Sequence, residues 1–140
     1  MTDVIPAAEV EDGLEDPMPR DYRRFREEEG VPVHTGLSVE DVTELAVGHW
    51  DRTGQRGAYV NLYGTGGLND LQVHELAPGS ETSLQHHLFE EIVYVASGRG
   101  ATVVGTGDDE VSFEWSAGSL FFLPPSTPYR HVNVAGDAPA

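Results

Sequence analysis

The stretch GSETSLQHHLFEEIVYVASG, residues 79–98, places the coordinating side chains Gln85, His86 and His87 in a row and follows them with Glu91. Alternate side chains of a β-strand share a face, so Gln85 and His87 point together while His86 points away. After a short bend, Glu91 opens the next apolar run and can turn toward the same space. The pattern predicts a cluster of polar ligands rather than an ordinary strand.

A second segment, YRHVN at residues 129–133, adds polar side chains with the same alternation. Tyr129, His131 and Asn133 share one face of the predicted strand. Imidazole nitrogen with carboxylate, amide or phenol oxygen makes a mixed ligand set that suits Fe(II), Mn(II), Ni(II), Co(II), Cu(II) or Zn(II). Fewer than six protein ligands would leave positions open for water and substrate.

The composition excludes several classes of function. The 140 residues carry 24 acidic against 8 basic side chains, a formal charge of −16, so binding to nucleic acid is not expected. No long apolar run or signal-peptide pattern predicts membrane attachment, and the expected location is cytoplasmic. The sequence has neither Cys nor Lys, which removes thiolate ligands, a Cys nucleophile and Schiff-base chemistry. The remaining chemistry depends on His, carboxylates, hydroxyls or a metal.

The chain divides into an acidic arm and a β-rich body. Residues 1–30 are predicted to be a disordered or arm-like segment, with a possible short helix in RDYRRFREEEG ended by Gly30. Residues 31–140 contain short β-prone runs separated by turn residues, which indicates a sandwich, barrel or jelly roll. A turn of helix in SVEDVTEL is an alternative to strand there. The predicted strands are 43–50, 57–64, 70–77, 82–87, 90–98, 100–106, 110–115, 119–125 and 129–134.

These segments resemble the two sequence motifs of the cupin superfamily. The first motif is Gly, five residues, His-x-His, three or four residues, Glu, six residues and Gly. The second is Gly, five residues, Pro-x-Gly, two residues, His, three residues and Asn. The spacing is kept across roughly residues 70–134. The matching positions are Gly79, Gln85, His87, Glu91 and Gly98 in the first motif, and Gly118, Pro124, Ser126, Tyr129 and Asn133 in the second.

The departures from the motifs fall on the residues that carry chemistry. Gln85 and Tyr129 stand where the family most often has His, and Ser126 replaces a turn Gly. Gln is a weaker ligand through its amide oxygen. His131 lies one strand step, about 7 Å, beyond the expected position and could replace the missing imidazole only if metal or strand shifts. Tyr129 as a phenolate ligand is the competing possibility, and Tyr129 as a catalytic proton donor beside the metal is a third.

The resemblance implies an all-β cupin-type double-stranded β-helix, a jelly-roll barrel, preceded by the acidic arm. It also implies a homodimer. A weaker similarity to longer bacterial cupins with two such domains suggests a single domain or half of a bicupin.

Three functions remain open on these residues. The leading one is a metal-dependent enzyme acting on a small organic molecule, an oxygenase-type oxidoreductase, with Fe(II) favoured and the metal held by Gln85, His87, Glu91 and His131. The second uses the same site for isomerisation, cyclisation or lyase chemistry, with Zn(II) as a Lewis acid. The third is a non-catalytic module that binds a small molecule after losing its metal. Arg99 and Arg130 are candidates for pairing with a substrate carboxylate, and more often such residues form surface ion pairs.

Overall fold

The structure is a computed structural model that describes residues 18–65 and 69–140. Residues 1–17 of the predicted arm, which spans residues 1–30, lie outside the described residues. Within the described ranges there are one α-helix and nine β-strands, so the expectation of an all-β fold is confirmed. None of the described helices is long and apolar enough to cross a membrane. The elements are α1 (Arg20–Glu29), β1 (Val33–Gly36), β2 (Gly48–Trp50), β3 (Gln55–Leu62), β4 (Leu71–Glu75), β5 (Glu91–Tyr94), β6 (Arg99–Val104), β7 (Val111–Ser116), β8 (Leu120–Leu123) and β9 (Tyr129–Asn133).

Two compact units can be distinguished, and the described residues of the first are 18–48, 57–65 and 69–73. Its helix α1 is capped by Gly30, which follows Glu29. The left-handed backbone of Gly30 lets its N–H donate to the carbonyl of Glu27. Arg26 is buried, lies over the ring of Tyr59 at 4.0 Å and donates to Asn61 at 2.8 Å. Stacking on an aromatic ring and bonding an amide oxygen offset the cost of burying this guanidinium. Strand β1 runs parallel to β3 in this unit.

The second unit comprises His49–Arg56 and His74–Ala140 and contains every predicted ligand. Strand β6 lies between β7 and β9, and β5 pairs with β8, in each case antiparallel. The segment that precedes β5 runs along β9 through isolated bridges, Glu81 to Val132 and Gln85 to Tyr129. This arrangement brings the two motif segments together in space although more than forty residues separate them.

Asn133 of the second motif is an anchor within this unit. Its side chain is 1% exposed, donates to the carbonyls of Leu76 and Ala138, and accepts from the amide of Ala135. Because its donors and its acceptor are all paired, this buried amide group holds the segments around Leu76, Ala135 and Ala138 in place. The role of this Asn is therefore structural, and it does not contribute a ligand.

The motif glycines occupy backbone conformations that other residues adopt only with strain. Gly79, Gly98 and Gly118 all have positive φ, and a Cβ on Gly98 would lie 2.5 Å from Ala140. Ser126, where the motif has Gly, also has a positive φ of 57° and is the only described non-glycine residue to do so. Ser126 therefore carries the strain of a left-handed conformation that a glycine would adopt freely.

The strand predictions need correction at three places. Residues 82–87 do not form a strand, and among them only Gln85 makes an isolated bridge, to Tyr129. Strand β1 was not predicted. Residues 43–50 are strand only at Gly48–Trp50, because Asp41 caps a short 3-10 turn at Val42–Glu44 by accepting from the amide of Thr43 at 2.8 Å. The helical-turn alternative is the correct one for that segment.

Candidate metal centre

The site forms where the 80–87 segment, the start of β5 and the start of β9 meet. Gln85 and Tyr129 exchange both backbone hydrogen bonds, at 2.7 and 3.0 Å, so their side chains project to the same side. His87 follows two residues later, and its carbonyl accepts from the amide of Ser126 at 2.8 Å. His86 is exposed, as the alternation predicts.

Strand β5 delivers the carboxylate. Along β5, Glu91 and Val93 are partly buried while Ile92 and Tyr94 are exposed, so Glu91 points inward. Glu90 is exposed. Of the two adjacent glutamates, therefore, only Glu91 points toward the site, and Glu90 faces solvent.

Three donor atoms converge in this space. His87 Nε2 lies 3.1 Å from Glu91 Oε2 and 3.2 Å from Tyr129 Oη, and Tyr129 Oη lies 3.0 Å from the same Glu91 oxygen. The His87 and Glu91 side chains are only 12% and 27% exposed, and Tyr129 is buried. The result is a nearly equilateral triangle of one nitrogen and two oxygens.

The orientation of His87 is set by its other ring nitrogen. His87 Nδ1 lies 2.7 Å from the carbonyl of Phe89, an acceptor, so Nδ1 carries the hydrogen and Nε2 presents its lone pair in the neutral ring. The Phe89 ring also stacks on the imidazole, with centroids 4.0 Å apart. An outer carbonyl that fixes the tautomer is the usual support of a metal-binding His.

This tautomer makes the triangle suitable for a cation. The Tyr129 hydroxyl donates to Glu91, so the His87 lone pair faces acceptor oxygens without a hydrogen between them. A cation among the three atoms, or a proton on Nε2, removes that repulsion. Neighbouring ligand atoms on an octahedral first-row cation lie about 3 Å apart, because bonds of about 2.1 Å meet at right angles. The observed edges fit one face of such an octahedron.

Tyr129 is held as a neutral phenol in the metal-free chain. Burial raises its pKa well above the ordinary value of 10.0, and the charge of Glu91 and the hydrogen bond to it act in the same direction. The positive charge of Arg52 lowers the pKa of Tyr129 and offsets part of this effect. A phenolate ligand therefore requires a further positive charge nearby, which a bound cation supplies.

Gln85 is buried and anchored by its amide group. Its Nε2 donates to the carbonyls of Arg52 and Ser83, both at 3.0 Å, and its Oε1 is 3.4 Å from Arg52 Nη1. These bonds turn the amide oxygen toward Arg52. Gln85 as a metal ligand remains a prediction.

His131 lies beside the triangle with a partner of its own. Its ring centroid is 5.1 Å from that of Tyr129, and its Nδ1 is 2.8 Å from Thr102 Oγ1. Trp115 Nε1 donates to the same Thr102 oxygen at 3.0 Å, leaving the hydroxyl hydrogen for His131. Burial lowers the pKa of His131 to about 4, so the ring is neutral at pH 7. Among the described residues, no hydrogen bond or ring contact joins His131 to His87 or Glu91, and its role as a ligand also remains a prediction.

The described part of the chain contains no group of three or more His, Cys, Asp or Glu side chains placed to hold a metal. The candidate centre depends on Tyr129 as its third donor.

Arg52 is the residue at this site that the sequence reasoning missed. It lies in the turn between β2 and β3, outside both motifs, and its guanidinium lies over the Trp50 ring at 4.7 Å. Arg130, in contrast, pairs with Glu81 and Glu110, and Arg99 is exposed. No local signal distinguishes Arg52 from the other arginines, because only the fold brings its turn to Gln85.

Comparison with known proteins identifies the class. The family model described as the Cupin domain matches residues 72–140, which hold both motifs and the whole triangle. Over this segment the chain matches the cupin family model, and the predicted cupin fold is confirmed.

Solved structures agree with this assignment at the level of fold. The Drosophila melanogaster CENP-C cupin domain superposes with a TM-score of 0.55 at 18% identity, covering 84% of this chain and 92% of that chain. The same protein in its crystal structure bound to CAL1 gives a TM-score of 0.56 at 19% identity, over 70% and 77% of the two chains.

A curated relative is similar over a shorter stretch. An uncharacterized protein of Methanocaldococcus jannaschii is 37% identical over 62 residues, which are 44% of this chain and 46% of that protein. The match therefore spans about half the length of that relative.

Proposed function

We propose that this cupin binds one divalent transition metal through His87, Glu91 and Tyr129 and uses it to transform a small organic molecule, as an oxygenase-type oxidoreductase with Fe(II). The observation that carries the proposal is the triangle of donor atoms with edges of 3.0 to 3.2 Å. One nitrogen and two oxygen donors form a hard ligand set that suits iron or manganese.

Three protein ligands would hold the metal and leave further coordination positions for substrate and dioxygen, as in non-haem iron oxygenases. When bound, Fe(II) would supply redox chemistry with dioxygen. Of the protein groups, Phe89 keeps His87 in its metal-binding tautomer through its carbonyl, and Glu91 accepts the hydrogen bond of the Tyr129 phenol. The stacked Phe89 limits the access of water to the imidazole.

The test is metal content by plasma mass spectrometry after anaerobic reconstitution, followed by dioxygen uptake with candidate small molecules. Wild type and the exposed-residue control His86→Ala are expected to retain about one metal per chain, and His87→Ala is expected to lose it. Equal metal content in wild type and His87→Ala would contradict the proposal. If the chain retains metal but its activity does not require dioxygen, the metal site is supported and the reaction is Lewis-acid chemistry instead of oxygenation.

A metal-free binding module is the second candidate, and a specific observation favours it. The Tyr129 hydroxyl already donates a hydrogen bond to the Glu91 carboxylate, and both amide hydrogens of Gln85 are donated to backbone carbonyls. These contacts let the substituted site close without a cation. This candidate predicts no metal after reconstitution together with a thermal shift on adding a small ligand.

We also propose a homodimer, supported by the outer face of the β5–β8 pair. Ile92 lies opposite Phe122 and Tyr94 opposite Leu120, and all four side chains are 54% to 72% exposed. Two copies of a chain with charge −16 repel each other, so this uncharged apolar patch is the favoured contact. Light scattering of the wild type should give the mass of a dimer. The variant Ile92→Glu should give the mass of a monomer, and the control Val111→Glu, at another exposed position, should remain a dimer. A monomeric wild type would contradict the dimer.

A further inference from the structure

A cavity of about 340 Å³ lies at one end of the sheet formed by β7, β6 and β9, within the second unit. Its polar lining comes from Arg99, Glu114, Ser116 and Ser119. None of the three residues of the candidate metal centre lines it. Its volume falls within the range of about 300–1,000 Å³ that small-molecule sites occupy. The cavity is therefore large enough for a small ligand of its own.

Arg99 and Glu114 present opposite charges to this cavity without pairing with each other. Arg99 lies opposite Ser116 in the register of β6 and β7, and Glu114 is two residues along on the same face of the sheet. Diagonal neighbours of this kind are about 7–8 Å apart, within reach of long side chains. In the part of the chain that the structure describes, however, neither side chain forms an ion pair or a hydrogen bond. Both charges are exposed and can be paired by a ligand.

Two serine hydroxyls add hydrogen-bond donors to the lining. Ser119 Oγ accepts from the amide of Ser116 at 3.0 Å, and the amide of Ser119 donates to the carbonyl of Ser116 at 2.9 Å, so the turn between them is held in place. Among the described residues, no acceptor takes the hydroxyl hydrogen of either serine. A guanidinium with hydroxyl donors beside it suits the two oxygens of a carboxylate.

Trp115 and Val134 supply the apolar part of the lining. The Trp115 ring is fixed, because its Nε1 donates to Thr102 at 3.0 Å and its ring lies where a Cβ on Gly100 would be. Trp115 is 8% exposed, and Val134 is 51% exposed. The cavity thus has an apolar surface beside its two charges.

We propose that this cavity is a second binding site and that its ligand is an α-amino acid with an apolar side chain. The carboxylate of the ligand pairs with Arg99, and its ammonium group pairs with Glu114. The side chain lies against Val134. A zwitterion is favoured over a simple acid because an acid would place a like charge near Glu114, and over a simple amine because an amine would do so near Arg99.

The experiment titrates the full chain with leucine by isothermal titration calorimetry. Isocaproate, which is leucine without the amino group, and isoamylamine, which is leucine without the carboxylate, are titrated in parallel. Saturable binding is expected for leucine, and each of the other two compounds should bind at least about tenfold more weakly, because one charge-assisted contact is lost.

Two substitutions test the assignment of the charges. Arg99→Gln and Glu114→Gln should each weaken the binding of leucine at least about tenfold. Glu114→Gln should at the same time strengthen the binding of isocaproate, because the like charge is removed. A purely structural role of Glu114 would not produce this opposite change.

The matched controls are Arg24→Gln and Glu28→Gln, at an exposed pair on α1 that is joined at 2.8 Å. Both should bind leucine as the wild type does, and so should His87→Ala. Melting temperatures show that each variant is folded. The proposal would be overturned by absence of saturable leucine binding, by equal binding of leucine and isocaproate, or by undiminished binding in folded Arg99→Gln. Loss of leucine binding in folded His87→Ala would also overturn it, because the ligand would then lie at the metal centre.

Discussion

Gln85 and Tyr129, the residues that replace the usual histidines of the cupin motifs, are direct partners across an antiparallel bridge, with backbone hydrogen bonds of 2.7 and 3.0 Å. The two departures are thus neighbours in space, although 44 positions apart in the sequence. Gln85 is tied to backbone carbonyls, and Tyr129 joins His87 and Glu91. The pair changes the site from imidazole-rich to oxygen-rich.

Replacing Tyr129 by Phe removes the third donor and keeps the ring. We expect metal affinity to fall at least about tenfold, since even the loss of an outer contact costs that much. The ferric form of wild type should show a visible phenolate-to-iron absorption band that Tyr129→Phe lacks. Tyr94→Phe, at an exposed position on β5, is the control and should keep both properties. An unchanged affinity in Tyr129→Phe would make Tyr129 a proton donor instead of a ligand.

Restoring the usual motif residues should strengthen binding of late first-row metals. In Gln85→His with Tyr129→His, two more imidazoles face His87, and neither needs to lose a proton from a buried phenol. We expect tighter binding of Ni(II) and Zn(II) than in wild type, measured by competition with a coloured chelator. Each single variant is measured as well, because adjacent substitutions are not additive. Weaker binding by the double variant would show that the backbone here does not direct both side chains inward.

Replacing Ser126 by Gly should stabilise the chain. Ser126 has a φ of 57°, and a left-handed conformation costs a non-glycine residue about 1 kcal/mol. We therefore expect the free energy of unfolding in urea to rise by about 1 kcal/mol. Ser112→Gly on strand β7, where no such strain exists, should instead destabilise the chain. A loss of stability in Ser126→Gly would mean that its side chain outweighs the strain.

His131 should make the stability depend on pH. Its folded-state pKa is lowered to about 4 by burial, against 6.5 in the unfolded chain, so the unfolded chain binds the extra proton. The His131 contribution to the free energy of unfolding is fully present above pH 6.5. It is lost as the pH falls toward 4, by about 3 kcal/mol in total. Urea unfolding across this range measures it.

His131→Asn keeps an acceptor for Thr102 and should remove most of this pH dependence. His86→Gln, which changes an exposed His, should leave it in place. The same slope in all three chains would assign the pH dependence to other groups.

The residue patterns alone predicted a sandwich, barrel or jelly roll, and the resemblance of two spaced motifs to those of the cupin superfamily was needed to predict the cupin fold. The turn glycines and the alternation of side chains were predictable because they are local properties. Gly79, Gly98 and Gly118 adopt positive φ, and the alternation correctly separates His87 from His86. Strand boundaries were less predictable. Residues 82–87 alternate like a strand, yet among them only Gln85 makes an isolated bridge, to Tyr129 of β9.

What the sequence by itself determined was the kind of residue available: His87 and Glu91 at the right spacing, with no sulfur or lysine chemistry to compete. The tertiary structure decided which atoms meet. It placed Tyr129 Oη within 3.2 Å of His87 Nε2 and paired His131 with the Thr102 hydroxyl. It also directed the Gln85 amide group to backbone carbonyls and placed Arg52 next to Gln85. The reason is that strand pairing and burial act between segments far apart in sequence, and a difference of one residue in register exchanges a ligand for a surface side chain.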